Sequence, residues 1–325
     1  MLDLAVQNLS SPIVLSFVLG LVAAGLRSDL SIPEAMAKGM SIYLLFAIGY
    51  KGGVEVAAAG FESRLALALL VGILLSAAIP FLAFFLLRIM TRFSRVDAAA
   101  VAGHYGSISI VTFVAASSLL ESQGVAFEGW LVAVAAAMEA PAIATALWLA
   151  RGRSSAPGNG MSSPGVPWRE VMLNGSIVLL LGAFLIGWIT GPAGLAEVEG
   201  FLIVPFKGVL CLFLLDMGLV AGRNLLRSRA VLSTGPVLFA LLMPLISAML
   251  GLGAGLLLGL SVGGVALLAT LSASASYIAV PAAMRVALPE ADPAVYLTLA
   301  LGVTFPFNLA FGISIYLLAA QTLGG

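Results

Sequence analysis

Long apolar runs separated by short polar breaks cover almost the whole chain, at about 6–26, 33–53, 65–90, 96–120, 126–150, 170–190, 199–222, 230–259, 262–286 and 293–320. Each run is near the ~20 residues that a helix needs to cross a bilayer. The pattern predicts an all-α membrane protein of ten transmembrane helices. The only polar stretch of any length, Arg151 to Pro167, is rich in Ser, Gly and Pro and reads as a flexible linker. It divides the chain into five helices at 1–150, a linker at 151–168 and five more helices at 169–325. The start, Met1-Leu2-Asp3-Leu4, lacks the basic stretch of a cleavable signal, so the first run is expected to be a permanent span.

Basic residues orient these spans, because cytoplasmic loops carry an excess of Lys and Arg. One set of alternate loops and adjoining helix ends holds Arg27, Lys38, Arg88, Arg92, Arg95, Arg151, Arg153, Arg169, Arg223, Arg227, Arg229 and Arg285. The opposite set holds only Lys51, Arg64 and Lys207. The bias predicts a cytoplasmic linker and both termini outside.

Five helices per half make the second half enter from the opposite side, so internal similarity implies an inverted-topology repeat. Lys38-Gly39, Gly49 and Gly53 recur in register as Lys207-Gly208, Gly218 and Gly222. Ser107-Ile108-Ser109 with Ala115-Ala116 recurs as Ser274-Ala275-Ser276 with Ala282-Ala283, and Pro80 and Pro141 pair with Pro244 and Pro306. The expected fold is therefore a 5+5 inverted repeat, the usual plan of secondary transporters, with function centred on helices four and nine.

Those two helices are interrupted by small and hydroxyl residues, Gly103-His104-Tyr105-Gly106-Ser107-Ile108-Ser109 and Ser272-Ala273-Ser274-Ala275-Ser276. A broken helix aims free backbone N–H groups and its positive dipole end at an anion. Two such breaks make Gly106, Ser107, Ser109, Ser274, Ala275 and Ser276 candidates for anion binding. The plainer alternative is close helix packing with hydroxyls bonded back to their own helix. Glu139, just before Pro141, is an acid inside an apolar helix and suits a sodium or proton site. Thr112, Thr304 and Asn308 supply oxygens for a hard cation, although each also fits a packing role. Asp216 reads as a structural acid near Arg223, and His104 as a hydrogen-bonded structural histidine.

Composition narrows the classes. At 61% hydrophobic and 9% charged, the chain is no soluble enzyme. A net charge of zero gives no field to hold nucleic acid. One cysteine and one histidine leave no ligands for a disulfide framework or a zinc or haem site. No nucleotide motif is present, so ion coupling is the economical energy source. A hydrolase built on His104 and Ser107 would place base and nucleophile on one short segment, without the separate walls that such a site needs. A channel or sensor would show uptake that never exceeds the electrochemical gradient.

The sequence resembles the sodium-dependent bicarbonate transporters best known from cyanobacteria, along nearly its whole length. The likeness is clearest at Ser31-Ile32-Pro33-Glu34-Ala35, Gly106 to Thr112 with Leu119-Leu120-Glu121, Glu139-Ala140-Pro141-Ala142, Ala273-Ser274-Ala275-Ser276 and Ala319-Ala320-Gln321-Thr322-Leu323-Gly324-Gly325. The resemblance implies core and gate domains, a homotrimer, bicarbonate held where helices four and nine approach, and sodium alongside as the co-transported ion. It implies residence in a bacterial plasma (inner) membrane and a cytoplasmic PII-like regulatory partner. It places the serine-rich binding segments on Ser107, Ser109 and Thr112, and on Ser274 and Ser276. Tyr277 stands where the family pattern has an aspartate, and Ile110 and Val111 stand where it is richer in Gly and Ser. That bulkier, less polar site leaves a small organic carboxylate as the alternative substrate.

Overall fold

The computed structural model describes residues 10–59, 63–151, 175–227 and 231–324, and every regular element among them is helical. In chain order these are α1 (Pro12–Gly25), α2 (Glu34–Ala59), α3 (Ser63–Met90), α4 (Arg95–Gly106), α5 (Ile110–Ser122), α6 (Leu131–Ala137) and α7 (Glu139–Arg151). After the linker come α8 (Gly175–Leu202), α9 (Phe206–Arg227), α10 (Thr234–Leu257), α11 (Val262–Ala273), α12 (Ala279–Ala287) and a long last helix, α13 (Pro293–Leu323). Residues 1–9 and the expected linker after Arg151 lie outside the described residues.

Seven helical stretches among these residues are long and apolar enough to cross a membrane, counting α4 with α5 and α6 with α7 as one stretch each. The helices α1 and α11 are apolar but shorter. The 26-residue α2 carries Glu34, Lys38, Lys51 and Glu55, which dilute its apolar character. Large side chains such as Leu19, Phe85, Ile89, Ile189 and Leu257 stand exposed on the outer faces, where hydrocarbon is the natural solvent.

The break expected after residue 190 is instead helical. The chain continues to Leu202 across a kink at Gly191 (φ 60, ψ -158), directly before Pro192. Only glycine reaches that φ without strain, and proline lacks the N–H that would continue the ladder.

Packing sorts the helices into two groups. One group is α1, α2, α8 and α9, with α2 against α8 and α9 against α1. Four of the six glycines matched between the halves make these contacts, Gly39 and Gly208 having open space around them. A Cβ on Gly49 or Gly53 would fall on the Leu180 or Phe184 carbonyl of α8, and one on Gly218 or Gly222 would meet the backbone of Phe17 or Leu21 in α1. The second group packs α4 between α3 and α7, and α11 between α10 and α13.

In that second group α4 and α11 are built alike. Each has 12 residues and a serine N-cap, Ser94 accepting from the Asp97 N–H and Ser261 from the Gly264 N–H. Each ends at a serine in extended backbone, Ser107 (φ -85, ψ 174) and Ser274 (φ -82, ψ 160). The most apolar window of the Arg95–Ser122 stretch is 100% buried. Interrupted backbone survives at membrane depth only when protein covers it.

Candidate functional site

The first break starts where α4 meets α3. A Cβ on Gly106 would strike the Pro80 ring and the Ser76 carbonyl, so glycine is what lets α4 end against this proline-bearing helix. Past Ser107 the chain turns through Ile108 into α5, whose N-cap Ser109 accepts from the Thr112 N–H at 3.2 Å. In the second break, α11 ends at Ala273 and the chain resumes as α12 at Ala279. Ile278 caps α12 without a side-chain bond, and Ser276 Oγ accepts from the Val280 N–H at 3.4 Å.

The two breaks touch each other. The Ser109 N–H donates to Ser274 Oγ at 2.9 Å, and that hydroxyl donates to the Leu271 carbonyl of its own helix at 2.8 Å. Going the other way, the Ser276 N–H donates to the His104 carbonyl at 2.8 Å. The exchange is not symmetric. Matched positions would send Ser276 to Ser107, but the direct bond to His104 bypasses it, and buried Ser107 Oγ has no partner.

Beside this crossing lies a small pocket lined by Ser109, Ile110, Glu139, Ser276, Tyr277 and Ile278, with Ile108 and, from α2, Leu45 completing its walls. Its volume is ≈ 10 Å³, room for about one water. The N-termini of α5 and α12 both open on it, and the first N–H groups of a helix have no intrahelical acceptor. Among the described residues no Lys, Arg or His lines the pocket. Glu139 is there because the chain breaks between α6 and α7 at Met138, and its Oε2 is buried without a partner. Ser76 fixes this break, its hydroxyl donating to the Met138 carbonyl and accepting from the Ala142 N–H.

Gly106, Ser107, Ser109, Ser274, Ala275 and Ser276 are therefore assembled at one buried crossing, with Glu139 beside it. Thr112, Thr304 and Asn308 do not line the pocket. Thr112 is buried in the first turn of α5. Thr304 donates to the Ala240 carbonyl at 2.7 Å and pairs with the Tyr105 hydroxyl at 2.6 Å. Pro244 sits four residues after Ala240 and cannot donate to it, so Thr304 supplies the missing bond. Asn308 donates to the Ala273 carbonyl at the end of α11 and accepts from the Tyr316 hydroxyl. Both residues lie in π-helical turns flanking Pro306, Thr298–Thr304 and Asn308–Gly312.

His104 bonds the Ala100 carbonyl through Nδ1 at 2.7 Å and stacks on Tyr296, ring centroids 4.4 Å apart. Its Nε2 and Ser107 Oγ both lack partners, so no histidine–serine hydrogen bond exists. Asp216 is buried and interacts electrostatically with Arg223, which holds the Leu30 carbonyl. Sequence reasoning did not single out Leu45, Ile278 or Ser76. Ser76 carried a legible signal, four residues before a mid-helix proline.

A family model described as the Na+-dependent bicarbonate transporter superfamily matches residues 12–321, nearly the whole chain. None of the curated proteins matches it.

Proposed function

The chain belongs to the Na+-dependent bicarbonate transporter superfamily, and from that premise we propose that it is a sodium-coupled symporter bringing bicarbonate into the cell across a bacterial inner membrane. The observation that carries this reading is the crossing pocket. Two helix N-termini open on it and, among the described residues, no cationic side chain lines it and one buried carboxylate oxygen there has no partner.

An anion at this crossing would be held by Ser109 and Ser276, which line the pocket, by Ser107 and Ser274 of the adjoining breaks once the site opens, and by the N–H groups of the first turns of α5 and α12. Glu139 would repel it. A sodium ion at Glu139 reverses that sign, so cation and anion favour each other and neither binds well alone. This is the electrostatic requirement for coupled symport. Thr112, one turn into α5 and behind the pocket wall, is a further sodium candidate, as are Thr304 and Asn308.

The matched caps, breaks and glycine crossings support ten spans in a 5+5 inverted repeat. In this arrangement α1, α2, α8 and α9 form the gate and the remaining helices the core. The basic-residue bias places the linker in the cytoplasm and the termini outside. Family likeness extends the proposal to a homotrimer and a PII-like regulatory partner. The apolar walls contributed by Leu45, Ile108, Tyr277 and Ile278 favour a small organic carboxylate as the alternative cargo.

The test is uptake of labelled bicarbonate into proteoliposomes under an inward sodium gradient, with wild type beside Ser107→Ala/Ser274→Ala. Sodium-dependent accumulation that the double variant loses is the expected result. Equal uptake with and without sodium at matched membrane potential refutes the coupling. Strong competition by unlabelled carboxylates transfers the cargo to the alternative class.

A further inference from the structure

Along α2, Glu34, Lys38, Ser41, Leu45, Ile48, Lys51 and Glu55 recur at intervals of three and four, which places them on one stripe of the helix. Three cavities lie along that stripe in order. Glu34, Lys38, Ser41 and Leu45 line a cavity of ≈ 660 Å³. Leu45 then walls the crossing pocket, and it shares with Ile278 the position between the two spaces. Beyond it, Ile48, Lys51 and Glu55 line a third cavity of ≈ 180 Å³, with Ser117, Ser118 and Glu121 of α5 opposite and Lys207 of α9 at its side.

The two ends differ. At the narrow end Lys51 and Glu121 form the only salt bridge found among the described residues, tying α2 to α5. At the wide end no such tie joins the walls among the described residues. Lys51 and Glu121 are 43% and 37% exposed. An ion pair so exposed is weak enough to open and close within a working cycle. Glu121 also lies on the same helix as Ser109, about 18 Å away at 1.5 Å per residue. One continuous helix thus joins the crossing to the ion pair.

We propose that the α2 stripe is the path of the transported anion and that the Lys51–Glu121 pair is the gate closing its narrow end. This inference rests on the transport reading above, but its test does not require transport. In a Cys211→Ser background, Ser118→Cys places a thiol at a site in the third cavity that is 4% exposed. The measurement is its labelling rate with a membrane-impermeant maleimide, in reconstituted protein.

Glu121→Gln and Lys51→Met should each raise the rate, by up to about fivefold, the largest population change that an exposed ion pair is worth. The charge swap Lys51→Glu/Glu121→Lys should return it to the starting value. Equal rates in all variants overturn the gate. So does a rise that the swap leaves unchanged, because lost packing rather than lost charge would then be the cause. Should a single variant fail to fold, the swap and the remaining single variant decide by the same criterion. Bicarbonate uptake measured separately judges the symport, so the two proposals can fail independently.

Discussion

The Ser109 N–H and Ser274 Oγ, one from each half of the chain, form a buried hydrogen bond of 2.9 Å. It holds the break after α4 against the break after α11, and the hydroxyl that accepts it donates in turn to the Leu271 carbonyl. Ser107, the matched serine, makes no such bond. Two residues alike in sequence therefore have different physical duties.

That difference separates stability from binding. Ser274→Ala leaves the Ser109 N–H buried and unpaired, at a cost of about 1–3 kcal/mol. Ser107→Ala removes a hydroxyl that bonds to nothing, so its melting temperature should stay at the wild-type value while anion uptake falls. Thermal unfolding in detergent and uptake in proteoliposomes, run on both variants, check the pair.

Glu139→Gln keeps the side-chain volume and removes the charge from the crossing pocket. The variant is expected to fold normally and to lose sodium stimulation of uptake, since its amide leaves no negative charge for the cation to neutralise. Uptake against sodium concentration at fixed membrane potential is the readout. A curve superimposing on wild type sets Glu139 aside as the sodium ligand.

Tyr277 is buried over the pocket and packs edge-on against Phe305, ring centroids 5.1 Å apart. Replacing it by alanine removes most of the volume that confines the pocket. Tyr277→Ala should therefore admit carboxylates too large for wild type, visible as new competition against the labelled anion. An unchanged competition profile would show that the selective contact lies elsewhere.

Thr304→Val breaks two bonds at once, to Ala240 and to Tyr105, and leaves a buried carbonyl open beside Pro244. The expected loss is at least about 1–3 kcal/mol, with Thr304→Ser recovering most of it. A valine variant as stable as wild type would contradict the structural duty assigned to this hydroxyl.

Gly106→Ala should also destabilise, by about 1–3 kcal/mol, because the new methyl meets a proline ring and a backbone oxygen that cannot rotate away. Unfolding of this variant beside Gly39→Ala, where a Cβ meets nothing within 4 Å, makes the comparison direct.

The crossing was legible because Ser and Gly clusters stand out in an apolar chain, and because Ser107, Ser109, Ser274, Ser276 and four prolines recur in order. The matched caps Ser94 and Ser261 were equally available in the sequence and went unnoticed. Thr304 and Asn308 were less readable. An isolated hydroxyl or amide looks the same whether it waits for an ion or fills a carbonyl on another helix, and their acceptors, Ala240 and Ala273, lie far away in sequence. The continuation of α8 past residue 190 was hidden by Gly191 and Pro192, which mark a loop as readily as a kink. Leu45 was invisible because one leucine among many carries no local mark, and only its position opposite the breaks gives it a role.

The complete burial of the most apolar part of the Arg95–Ser122 stretch limits how this molecule can move. Its unwound middle has peptide groups that lipid tails cannot solvate. Sliding α4 and α5 on their own would strip that insulation and leave dipoles in oil. Whatever motion carries an ion across must take the wrapping along, as a cable moves with its sheath, and the shear falls where α1, α2, α8 and α9 meet the rest.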